Sequence, residues 1–125
     1  MPSFQSLLLV GIAGAVGVVL RAGLTALTGR ICGTDLPWGT LAVNMVGCFA
    51  CGLLWGLIHH RQILPASAEP VLFAGLLGGF TTYSSFALQA TEMLASGRLM
   101  AAAAYVGGTN LLGLAAVWAG MRLGG

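Results

Sequence analysis

Long runs of apolar residues, separated by three short polar patches, set the pattern of this chain. Four of the runs are long enough to cross a bilayer, since a core about 30 Å thick needs about 20 residues at about 1.5 Å each. They cover roughly 4–28, 38–58, 70–91 and 99–121, and the first is interrupted by Arg21. The patches GRICGTDLP, HHRQILPASAE and LASGR hold five of the eight charged residues, together with Pro and polar turn residues. Connections that short leave no room for a soluble domain. The pattern predicts an all-α integral membrane protein, a single transmembrane domain over 1–125 with four transmembrane helices.

Composition sharpens that prediction. Of 125 residues, 58% are hydrophobic and 6% charged, against about 25% charged in an ordinary soluble domain. The formal net charge of +2 is dispersed, with no basic stripe interleaved with aromatics, so nucleic acid is not an expected partner and membrane lipid is. The N-terminal MPSFQSLLLV has no positively charged leader, and its apolar run continues past any signal-peptide cleavage position. It reads as a first helix.

Loop charge does not choose an orientation. Arg30 and Arg98 fall on the side of the first and third connections, Arg61 and Arg122 on the side of the second connection and the C-terminus. An excess of Lys and Arg normally marks the cytoplasmic side, and here the sides tie. Insertion in one orientation and insertion in both stay open; if both occur, an antiparallel two-fold dimer is the natural assembly.

Twenty glycines are more than twice the usual share of about 7%. Membrane helices associate by close packing, which small residues permit, so Gly11, Gly14 and Gly17, the pair Gly52 and Gly56, and Gly75 with Gly79 point to a tight bundle. Cys48 and Cys51 form CFAC inside the second span, where small buried residues explain them better than redox chemistry does. His59 and His60 close the same helix with no Cys or carboxylate at ligand spacing.

Little catalytic chemistry is available. Asp35, Glu69 and Glu92 all lie at or near loop edges, so no acid pair sits in the membrane and an enzyme is not expected. Transport fits better, because an ionisable residue within a span is expensive and functional by default. That residue is Arg21, a cation. A small dual-topology coupled exporter of organic cations is the alternative of similar size, but it needs a carboxylate in the first helix, which has none. The sign favours an anion. Arg21 either raises the anion potential at a vestibule or snorkels to the interface as a structural anchor. Asn44, Thr109 and Asn110 either bond across helices or face a permeating ion.

The stretch GGFTTYSSF, Gly78 to Phe86, places two glycines, four Ser and Thr hydroxyls and three aromatics within the third apolar run. Glycines and competing hydroxyls weaken a helix there, predicting a break between Gly78 and Thr82. In hydrocarbon such a break is tolerated only where protein, water or an ion satisfies the freed groups. Released carbonyls suit a cation, whereas amides, hydroxyls and aromatic ring edges suit an anion. Ordinary aromatic packing, with hydroxyls bonded to their own helix, is the other reading.

GTLAVNMVG (Gly39 to Gly47) and GLLGGFTTYSSF (Gly75 to Phe86), with GAVGVVLR (Gly14 to Arg21) before and NLLG (Asn110 to Gly113) after, resemble the Fluc (CrcB) family of fluoride channels. The resemblance runs through all four spans in order. It implies an antiparallel, dual-topology homodimer with two pores, a broken third helix, and passive export of fluoride across the bacterial inner membrane that relieves fluoride toxicity. It further implies a structural sodium ion at the dimer centre, held by the backbone carbonyls of Gly78 and Thr81 from both subunits. By the same resemblance Asn44, Tyr83 and Phe86 line the fluoride pore, with Ser84, Ser85 and Thr40 as polar-track donors. In the fourth helix one register gives Tyr105 and Thr109 as pore positions and the other Val106 and Asn110. Two departures stand out: Tyr83 replaces the usual Phe, and Ala87 and Gln89 stand where the family often has a serine and a glutamate.

Overall fold

The computed structural model describes residues 1–125 and is helical throughout, without a strand. Helix α1, Phe4–Cys32, starts on Ser3, whose side chain accepts the Ser6 amide at 3.1 Å. It stops at Gly33, whose φ of 81° lies in the left-handed region that glycine enters without steric cost. Helix α2, Trp38–His59, follows Pro37. A 3₁₀ turn over Ala66–Ala68 leads into wide π-helical turns over Pro70–Leu77 and a last short turn α3, Gly78–Phe80. Thr81 (φ −85°, ψ 161°) and Thr82 (φ −149°, ψ 112°) are extended. Helix α4, Tyr83–Ala95, and helix α5, Leu99–Gly124, complete the chain.

Four helical stretches, Phe4–Cys32, Trp38–His59, Ala66–Ala95 and Leu99–Gly124, are long and apolar enough to cross a membrane. The chain is a multi-pass membrane protein. Two backbone-to-backbone seams hold it. Along the α2 and α5 seam, a Cβ on Gly52 would strike the Val117 carbonyl, and one on Gly120 the Phe49 carbonyl. Along the seam between α1 and the third span, a Cβ on Gly17 would strike the Leu76 carbonyl, and one on Gly79 the Gly14 carbonyl. In lipid no hydrophobic force drives helices together, so these approaches matter through dispersion contacts that any larger residue would forfeit.

α4 packs on α5 through a buried cluster of Phe86, Ala90, Met93, Ala102 and Tyr105. The seams and this cluster fix the extended pair Thr81 and Thr82 in position against α2. By contrast, Gly17 is the one buried residue of α1, and the rest of that helix turns a long apolar flank outward.

Candidate functional site

The extended pair diverts backbone groups from their helical partners. In an uninterrupted helix the Thr82 amide would bond the Gly78 carbonyl; here it donates to Asn44 Oδ1 at 2.8 Å. The Ser85 amide, which would bond the Thr81 carbonyl, donates to Thr82 Oγ1 at 3.2 Å. The Thr81 carbonyl accepts no hydrogen bond. On the other side of the break the Thr81 amide and hydroxyl both reach the Leu77 carbonyl, each at 2.9 Å. The result is a helix end with released carbonyls facing a helix start with directed amides.

Asn44 clamps that junction. Besides accepting from the Thr82 amide, its Nδ2 donates to the Thr82 carbonyl at 3.0 Å. One of its two amide hydrogens stays free for another acceptor. Thr82 is the N-cap of α4, the capping position where hydroxyl residues are preferred. Its hydroxyl donates to Ser85 Oγ at 3.1 Å and lies 3.4 Å from Ser84 Oγ. Since Ser85 Oγ accepts, its own proton points elsewhere.

Beyond the cap, three aromatic rings meet edge to face. Tyr83 and Phe86 are 5.8 Å apart at 63°, and Phe86 and Tyr105 are 5.1 Å apart at 64°. Such geometry turns the positive edge of one ring toward the face of the next. Phe86 is 7% exposed and Tyr105 9%, whereas Tyr83 is 80% exposed on the single protomer. Past Phe86, the Tyr105 hydroxyl donates to Gln89 Oε1 at 2.8 Å, and Gln89 Nε2 donates to Thr40 Oγ1 at 2.9 Å. Thr40, Gln89 and Tyr105 thus form one linked polar group behind Phe86.

An open groove of 490 Å³ runs beside the break between α2, the third span and α5. It is lined by Asn44, Gly78, Thr81, Tyr83 and Phe86 from the sequence-derived set, and by both Thr109 and Asn110 of α5. Thr109 Oγ1 is buried with no partner, while Asn110 Nδ2 donates to the Val106 carbonyl at 2.7 Å. Tyr105, rather than the exposed Val106, is the α5 residue against Phe86. Thr40, Ser84, Ser85 and Tyr105 lie off the groove but within the hydrogen-bonded or aromatic series. Arg21 belongs to neither; it is half-buried on α1 without an ion pair. Cys48 and Cys51 are free thiols on the groove wall, and His59 pairs with Glu69 at 3.5 Å at the far end of α2.

Two residues of this arrangement were outside the sequence-derived set. Thr82 carries a legible signal, a hydroxyl three residues before Ser85 at the start of a helical run, the spacing of an N-cap. Gln89 stands seven residues beyond Thr82, on the same helix face, but its partners on α2 and α5 have no local signature.

Comparison with known proteins gives the arrangement a context. Residues 8–121 match the family model described as CrcB-like protein, Camphor Resistance (CrcB). A protein of Nitratidesulfovibrio vulgaris named Fluoride-specific ion channel FluC is 40% identical over 120 residues, covering 96% of this chain and 97% of that protein. Proteins with the same name are 46% identical in Agrobacterium fabrum, over 93% of each chain, and 43% identical in Paracoccus denitrificans, over 96% of this chain and 94% of the other. With a family match over residues 8–121 and relatives this similar over nearly their whole length, the chain belongs to the CrcB family.

Proposed function

We propose that this protein is a fluoride-selective channel through which fluoride leaves the cytoplasm passively, relieving its toxicity, and that it catalyses no reaction. The observation that carries the reading is a series of neutral donors, Asn44, Thr82, Ser85, Tyr105, Gln89 and Thr40, passing the ring edges at Phe86. The relatives bearing the name of fluoride-specific channels support it.

Fluoride is small and strongly hydrated, so a pore must replace its water with close donors that do not trap it. The free Asn44 amide hydrogen and the Ser84, Ser85 and Thr40 hydroxyls provide these, with the ring edges of Tyr83 and Phe86 between them. Tyr105 lies behind Phe86 and orients Gln89, whose amide holds the Thr40 hydroxyl oxygen. Thr109, with its unpartnered hydroxyl, and Asn110 supply donors from α5. Arg21 raises the anion potential near an entrance.

The functional unit in this reading is an antiparallel, dual-topology homodimer in the bacterial inner membrane, with two pores. The open groove and the exposure of Tyr83 support a second copy covering the break. A structural sodium ion fits the residues present: the Thr81 carbonyl is unpartnered, and the Gly78 carbonyl has lost its helical partner to Asn44. Gly78 and Thr81 of both copies would hold it, and the bound ion would supply fixed positive charge at the dimer centre.

The test is fluoride efflux from proteoliposomes read with an ion-selective electrode. Efflux with negligible chloride flux is expected; chloride passing equally well, or no flux at all, overturns the reading.

A further inference from the structure

At the end of α4 remote from the break lies a second chamber, of 420 Å³. Thr34 and Asp35 of the first connection line it, with Gln89, Glu92 and Ser96 along one face of α4 and its cap, and Arg98 of the following turn. Gln89 is common to this chamber and to the donor series, since its amide holds Thr40 and Tyr105. The chamber therefore adjoins the donor series at Gln89. Its charge has the wrong sign for welcoming an anion. Two exposed carboxylates, Asp35 and Glu92, face one exposed guanidinium, Arg98, and none of the three is ion-paired within 4 Å.

Resting on the fluoride-channel reading, we infer that this chamber is a mouth of the pore and that Glu92 and Asp35 restrain anion entry there, with Arg98 opposing them. In watery surroundings a carboxylate lowers the concentration of an anion about 8 Å away about twofold. The field of such exposed groups reaches about 30 Å at 0.01 M salt and about 3 Å at 1 M. Selection and throughput are thus separated along the path: neutral donors discriminate between anions inside, and charge at the mouth sets how many arrive. Arg98 is the counterweight that keeps the mouth passable.

The experiment compares initial fluoride efflux of wild type, Glu92→Gln, Asp35→Asn and Arg98→Gln in proteoliposomes at about 0.01 M and about 1 M background salt of a bulky impermeant anion. At low salt each carboxylate variant is expected to conduct about twofold faster than wild type and Arg98→Gln about twofold slower, with all differences collapsing at high salt. All three positions are exposed, and Glu92→Lys extends the series, with a further rise expected at low salt. A conducting wild type whose variants match it at low salt, or differ from it equally at both salts, overturns this inference and leaves the channel reading standing. A wild type that carries no fluoride overturns both.

Discussion

Asn44 uses both ends of its carboxamide on one residue, accepting from the Thr82 amide and donating to the Thr82 carbonyl. Asn44→Ala leaves both backbone groups unpaired beside α2, and an unsatisfied buried polar group costs about 1–3 kcal/mol. We expect a clear loss of thermal stability in detergent, and fluoride efflux at least about tenfold lower, because losing the Asn44 amide donor to the ion need raise the permeation barrier by only about 1.4 kcal/mol for a tenfold effect. Unchanged melting and efflux would show that the clamp is dispensable. Tyr83 is the opposite case, 80% exposed on the protomer. Tyr83→Phe keeps the ring edge beside Phe86 and should leave efflux within about twofold, whereas Tyr83→Ala removes the edge and should abolish it. A Phe variant as inactive as the Ala variant would assign the function to the hydroxyl instead.

At the scale of elements, α4 begins at a cap rather than continuing a helix. Thr82→Val preserves shape but removes the oxygen that receives the Ser85 amide, and losing such a cap costs about 1 kcal/mol. Faster hydrogen exchange in the first turn of α4, with α2 and α5 unaffected, is the expected signature; uniform exchange throughout would count against the cap. This element also shows how far the sequence could be read. Run lengths alone located the four spans, because bilayer thickness sets a minimum number of apolar residues. The glycines and hydroxyls around Thr81 were equally visible as local conflict with a helix. The partners that resolve the conflict were not visible, since Asn44 lies 38 residues from Thr82, and Thr40 lies 49 from Gln89. Helical periodicity says which residues share a face and nothing about which foreign face will meet it.

For the whole molecule, the decisive quantity is orientation, and the charges leave it balanced: Arg30 and Arg98 on one side, Arg61 and Arg122 on the other. The topology sharpens the balance, since the α1–α2 and α4–α5 connections emerge together, away from the α2 C-terminus and Pro70. Asp35 and Glu92 join the first pair of arginines, but acidic residues contribute little to the orientation rule. Dual insertion follows if nothing else breaks the tie, and Cys32 can report it. It is exposed at the end of α1 on the first-connection side, whereas Cys48 and Cys51 are half-buried within α2. With both inner thiols replaced by Ser, a membrane-impermeant thiol reagent applied to sealed cells or vesicles should label about half of the Cys32 population, and the remainder only after permeabilisation. Adding a second arginine beside Arg30 should then drive Cys32 to the cytoplasmic side and remove labelling from outside. Labelling that is complete or absent before any charge is added would mean a single orientation, and with it no antiparallel pair of identical chains.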